Sequence, residues 1–176
     1  RKVKVVFFST GDELVGVGEK LGIGEIYDSN RYTLHGLLDR LGCDITDMGV
    51  IKDEKQTVEN ALLEASASAD VIITTGGVSV GEADYIKEIL DKLGQVLFWK
   101  IAMKPGRPLA YGKINDCHFF GLPGNPVSVV VTFYQFVQNA LKILQGENQA
   151  KMQPIQKIKS GERIRKIPGR TEYQRG

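Results

Sequence analysis

Hydrophobic positions along the chain repeat with two periods that take turns. Residues 3–10, VKVVFFST, are a short apolar run bounded by Gly11 and read as a buried strand. In NRYTLHGLLDRLG, Leu34, Leu37, Leu38 and Leu41 recur at i, i+3, i+4 and i+7. That is one face of a helix, with Ser29 or Asn30 as N-cap and Gly42 as its stop. Residues 43–51 read as the next strand. QTVENALLEASASA then sets Val58, Ala61, Leu62 and Ala65 on one helical face. An apolar strand over 70–75 runs straight into Gly76-Gly77. EADYIKEILDKLG follows as a helix carrying Ile86, Ile89, Leu90 and Leu93, closed by Gly94.

Three strand-like runs come next, at 95–103, 108–114 and 117–123, the last two separated by a turn at Asn115-Asp116. Residues 125–144 read as a long helix whose β-branched first part argues for burial rather than propensity. Strands that alternate with helices in this way predict parallel pairing, right-handed crossovers and helices on both faces. The expected fold is therefore α/β, a three-layer αβα arrangement with a mostly parallel sheet over residues 1–147. ENQAKMQ is linker-like. The tail PIQKIKSGERIRKIPGRTEYQRG alternates apolar and basic residues as an antiparallel strand or hairpin would. Residues 148–176 are expected to be a linker and the first strand or strands of a truncated C-terminal β domain.

Composition narrows the function classes. The chain has 176 residues, enough for one sizeable α/β domain, and 23 Lys+Arg against 21 Asp+Glu. That balance argues for neither nucleic acid nor a membrane surface as partner. No segment reads as a transmembrane span or a signal peptide. Cys43 and Cys117 lack metal-ligand spacing, and a reduced cytoplasmic setting is expected. The chain begins at Arg1 rather than Met, which reads as a piece of a longer protein or as a processed one.

In an open parallel sheet, ligands bind at the carboxyl ends of the strands. Four loops fall there: STGDEL (9–14), VIKDE (50–54), TTGGVSVGEAD (74–84) and LPGNPVS (122–128). The Gly76-Gly77 turn can bring backbone N–H groups close to a phosphate, next to a helix N-terminus. Tight turn geometry alone would also call for those glycines. The loop is neither a Walker loop nor G-x-G-x-x-G. Asp12, Glu13, Asp53, Glu82 and Asp84 supply acids at the strand ends. For Asp53 and Glu82, helix capping explains the residue type equally well. Carboxylates beside a phosphate cradle make sense if Mg²⁺ bridges the two. Lys100 and Lys104, four apart in a strand-like run, would share a face, with Arg107 nearby. Two cations so placed are either solvated charges or an anion site, and the apolar flanks with the Pro105-Gly106 exit favour the anion site. Pro123, Gly124 and Pro126 make a rigid turn, Asn125 caps the helix that follows, and Ser128 in its first turn can donate to an oxyanion. His35 and His118 have no partner at ligand spacing. Asp53 and Asp84 are each chemically suited to act as base, Mg²⁺ ligand or hydrogen-bond acceptor.

Taken together, STGDEL, GEIYDSN, GVIKDE, TTGGVSVGEADY, FWKIAMKPGRP and GLPGNPVSVVVTFYQ resemble, in order, the molybdopterin molybdenumtransferase family, which includes the E domain of gephyrin. The resemblance covers residues 3 to about 145, and PGRTEYQRG resembles the opening of the family's C-terminal β-barrel domain. It implies an enzyme of molybdenum cofactor biosynthesis. Such enzymes take adenylylated molybdopterin and molybdate, cleave the pyrophosphate link with Mg²⁺, leave molybdenum on the dithiolene sulfurs and release AMP. Carried over, Glu13, Asp53, Asp84, Lys100 and Lys104 would be catalytic, with Asp53 and Asp84 holding the metal. Thr10, Gly11, Asp12, Gly76, Gly77, Ser79, Gly81, Pro105, Pro123, Asn125, Ser128 and Arg170 would line the ligand pocket, with Arg175 the alternative to Arg170. The resemblance also implies a homodimer whose site uses domains outside this chain, so the chain by itself is expected to bind ligand more readily than to turn it over. Two other readings stand beside it: a molybdopterin adenylyltransferase, which would release pyrophosphate, and a non-catalytic scaffold of the gephyrin type.

Overall fold

A computed structural model of the chain describes residues 1–77, 83–147, 156–166 and 168–174, with the backbone only for 83–85. Six strands form one sheet in the order β4-β1-β5-β9-β8-β6. They are β1 (Lys4–Thr10), β4 (Asp44–Ile51), β5 (Val71–Thr75), β6 (Gly94–Phe98), β8 (Ala110–Ile114) and β9 (Cys117–Leu122). The first four in the order pair in parallel, and β8 is antiparallel to both β9 and β6. The mostly parallel sheet expected from the alternation is what forms.

Helices α1 (Ser29–Arg40), α2 (Lys55–Ser66), α3 (Ala83–Leu93), α4 (Pro126–Thr132) and α5 (Gln138–Gln145) cover it. A single π-helical turn, Phe133–Val137, joins α4 to α5. The central strands β1, β5 and β9 bury both faces, so their side chains divide between two cores. Val5, Phe7, Val71, Ile73 and Phe120 pack with α1 and the α4–α5 helix. Val6, Phe8, Ile72 and Phe119 pack with α2 and α3. Alternate residues of one strand thus feed opposite layers.

The run Pro126–Gln145 is long and apolar enough, by length and composition, to cross a membrane, contrary to the expectation that no segment is. Its Val129, Phe133, Val137 and Leu141, four apart, are nevertheless buried against the sheet. That is how the core helix of a globular domain behaves.

Four local expectations need correction. The N-cap of α1 is Asp28, whose Oδ1 accepts from the Arg31 N–H at 3.2 Å, and not Ser29 or Asn30. Gly94 opens β6 instead of merely ending α3. A Cβ there would lie 1.8 Å from the Lys113 carbonyl oxygen, so only glycine permits this approach to β8. The run 95–103 is not one strand: β6 stops at Phe98, and β7 (Met103–Lys104) lies in a separate sheet. Finally, β10 (Thr171–Glu172) pairs parallel, not antiparallel, with β7. The two remaining strands, β2 (Leu14–Val15) and β3 (Ile26–Tyr27), form a small parallel pair between β1 and α1.

Candidate ligand-binding site

The chain passes from β1 to β4 on one side, then crosses to β5 on the other. The β1/β5 boundary is therefore where the strand order reverses, and the crevice outside its carboxyl ends is where such sheets hold ligands. Residues 10–13 leave β1 there, and Gly76-Gly77 leave β5.

Both glycines are required by contact as well as conformation. Gly76 has φ +83° and Gly77 φ +64°. A Cβ on Gly76 would sit 2.3 Å from the Thr10 carbonyl oxygen, and one on Gly77 would sit 2.8 Å from Thr10 Oγ1 and 2.4 Å from Ile86 Cδ1. The two strand ends are pinned by a buried hydrogen bond of 2.8 Å between the hydroxyls of Ser9 and Thr75. Among the described residues, the buried Thr10 Oγ1 has no hydrogen-bond partner. An unpaired buried hydroxyl costs about 1–3 kcal/mol, and such groups concentrate where a ligand or water completes the set.

The neighbouring strands bring their loops to the same place. Beyond β4, the Asp53 N–H donates to Asp12 Oδ1 at 3.3 Å, so two acids stand side by side. The Glu13 carboxylate folds back over Gly11, within 2.9 Å of where a Cβ on that glycine would be. Beyond β9, a Cβ on Gly124 would meet Gly76 Cα at 3.9 Å. Asn125 caps α4 as expected, its Oδ1 accepting from the N–H groups of Val127 and Ser128 at 3.0 and 3.3 Å. Pro123 and Ser128 are buried. Thr10, Gly11, Asp12, Glu13, Asp53, Gly76, Gly77, Pro123 and Asn125 thus gather around one rim.

The cationic side is less compact. Lys100 and Lys104 are both exposed, and they do not share a strand face, because β6 ends before Lys100. Lys104 lies in β7 and Pro105 follows it. Gly106 packs along α4, where its Cβ would lie 2.6 Å from Thr132 Cγ2 and 3.9 Å from the Ser128 carbonyl oxygen. The loop carrying Lys104 and Pro105 is thereby placed against the helix that carries Ser128. Arg170 is exposed, and the Thr171 N–H next to it donates to the Ala102 carbonyl at 2.9 Å. Ser79, Gly81 and Arg175 lie outside the described residues. Asp84 is in the first turn of α3, with its side chain outside them too.

Sequence reasoning missed Asn30, which it read only as a possible cap. Asn30 is buried, and its Nδ2 donates to the Gly124 carbonyl at 2.7 Å. A signal existed: Asn30 stands four residues before Leu34 and eight before Leu38, on the buried face of α1.

A polar cavity of about 350 Å³ lies at the opposite, amino-terminal end of the strands, lined by Asp70, Cys117 and His118. Burial, with the charge of Lys113, pushes the His118 imidazole below its ordinary value against the pull of Asp70. The Tyr111 hydroxyl is 2.9 Å from its Nδ1. A depressed histidine stabilises the fold fully above its unfolded value near 6.5 and loses that contribution as pH falls below it. His118→Gln is expected to flatten the acid side of the melting-temperature profile below about pH 6.5. An unchanged slope would show that His118 is not the group responsible. Burial, with the Asp70 charge, pushes the Cys117 thiol up to about 12, which leaves it unreactive at neutral pH.

Compared with known proteins, residues 6–143 match the family model described as "Probable molybdopterin binding domain". The chain belongs to the molybdopterin-binding domain family. It is 51% identical over 176 residues to a molybdopterin molybdenumtransferase of Haemophilus influenzae, covering 100% of this chain and 44% of that protein. It is 36% identical over 204 residues to gephyrin of Dictyostelium discoideum, covering 97% of this chain and 28% of that one. Among solved structures, the molybdopterin biosynthesis MoeA protein of Pyrococcus horikosii superposes with a TM-score of 0.73 at 36% identity, over 80% of this chain and 35% of its own. The chain thus spans less than half the length of these relatives. The matched residues take in the six-stranded sheet, apart from Lys4 and Val5 at the start of β1, and all four loops at its carboxyl edge.

Proposed function

We propose that this molybdopterin-binding domain serves a molybdopterin molybdenumtransferase, and that adenylylated molybdopterin lies across the crevice at the β1/β5 boundary. The observation that carries the reading is the packing of Gly76 between the Thr10 carbonyl and Gly124, which bares backbone from three loops to one ligand. The N-termini of α1 and α4 flank that backbone and favour an anion there.

The Asp12 carboxylate meets the Asp53 backbone N–H, which brings two acids to one place, and Mg²⁺ takes a few carboxylates together with phosphate oxygens, so the residue types fit that ion. Asp53, with Asp84, would hold it. When bound, it would neutralise charge on the pyrophosphate as the link to AMP breaks. Lys104, Pro105 and Ser128, on packed neighbouring segments, would hold molybdate, with Arg170 beside them. Lys100 and Glu13 complete the polar rim. The reading places the protein in the cytoplasm as a homodimer, with residues 148–176 leading into a further β domain.

The test is AMP release by the full-length protein from adenylylated molybdopterin. AMP that appears only when both Mg²⁺ and molybdate are present supports the reading. Release of pyrophosphate from ATP and molybdopterin would make the protein an adenylyltransferase. Ligand binding without either product would make it a scaffold.

A further inference from the structure

Asn30 makes an uneconomical set of contacts. It is 7% exposed in the first turn of α1, where Asp28 already performs the capping. Its side chain instead spans to another element. Nδ2 donates to the Gly124 carbonyl at 2.7 Å, while the buried Oδ1 has no partner among the described residues. A buried amide with half its capacity unused calls for an explanation beyond packing.

The Gly124–Asn125 peptide is trans, as is every described peptide bond except Lys104–Pro105. In a planar trans peptide the C=O and N–H point in opposite directions. Tying the Gly124 carbonyl to α1 therefore turns the Asn125 N–H away from α1. That N–H stands at the start of α4, in a loop packed on Gly76. Without the tie, the Gly124 peptide could flip and present its carbonyl dipole to an anion.

We propose that Asn30 is a positioning residue: it fixes the orientation of the Gly124–Asn125 peptide so that the loop offers a donor, not an acceptor, to the anionic oxygens of the bound ligand. The inference rests on the function proposed above for the identity of that ligand. The lock itself can be read without ligand.

The experiment compares full-length wild type with Asn30→Asp, which keeps the shape but replaces the donor by a carboxylate facing a carbonyl. Hydrogen exchange in the ligand-free proteins is followed over residues 122–128, together with the Kd for adenylylated molybdopterin and the KM and kcat of AMP release. The expected result is faster exchange confined to 122–128, Kd and KM raised about tenfold, and kcat changed less than twofold, since ordering a loop on binding weakens affinity rather than chemistry. If Asn30→Asp disturbs exchange throughout the domain, Asn30→Ser, which lacks both reach and charge, supplies the same comparison. Exchange at 122–128 equal to wild type would overturn the lock. Faster exchange with unchanged Kd and KM would overturn its role in positioning ligand. Wild type that binds no adenylylated molybdopterin would sink the proposed function, and the exchange data would still decide the lock.

Discussion

Gly76→Ala is expected to abolish ligand binding and to destabilise the domain by about 2–4 kcal/mol. Two separate effects add. At φ +83° an alanine pays roughly 1–2 kcal/mol over glycine. The new Cβ would also sit 2.3 Å from the carbonyl oxygen of Thr10, a backbone atom of a central strand that cannot rotate aside. Either β1 and β5 part at their carboxyl ends or the glycine turn swings outward, and both destroy the crevice. For a domain of this size the melting temperature should fall by roughly 5–15 °C. Gly146→Ala is the control: φ is +104°, but nothing lies within 4 Å of the added Cβ, so it carries conformational strain alone. Calorimetric melting of the two variants separates clash from strain. Equal losses would mean that the approach of Thr10 to Gly76 is not tight.

Lys104→Ala is expected to lower molybdate-dependent AMP release by the full-length protein by a factor on the order of 10²–10³, the usual effect of removing one preorganised donor to a developing oxyanion. The fold should hardly notice. The side chain is exposed, and β7 is paired through backbone groups, with the Thr171 and Tyr173 N–H groups donating to the Ala102 and Lys104 carbonyls at 2.9 and 2.8 Å. Steady-state kinetics against molybdate, with melting as the control, make the check. A loss below about threefold, with the fold intact, would remove Lys104 from the site.

The sheet and its helices were legible because β1 and β5 are nearly continuous apolar runs and the helices between strands repeat an apolar face. Nothing competes with that signal in β5 or in α2. Gly94 misled because a glycine after a helix usually ends it, whereas here the missing Cβ also admits the Lys113 carbonyl. The break between Phe98 and Met103 was hidden because Trp99, Ile101 and Ala102 continue an apolar run that would suit a strand. Inside the fold, the Ile101 N–H bonds the Arg107 carbonyl and closes a loop. Lys100 and Lys104 were therefore given a shared strand face that they lack.

Within the candidate site, the glycines and acids were legible by residue type and place: glycine where a turn leaves a strand, carboxylates at strand ends. The convergence of four loops on one edge followed from the parallel pairing implied by the alternation. What local sequence did not carry was distance: that Gly124 would pack on Gly76, or that Asn30 would reach across from α1 to hold it. Those contacts join residues 48 and 94 positions apart, and they depend on how two helices enter the sheet edge.

The central claim is that adenylylated molybdopterin occupies the carboxyl edge of the sheet at the β1/β5 boundary. Hydrogen exchange of the full-length protein, with and without that ligand and Mg²⁺, tests it most directly. Protection is predicted in peptides covering residues 10–14, 51–54, 74–77 and 122–128. Protection that spares these four and falls on residues 66–70 and 115–118, at the opposite end of the strands, would contradict the account.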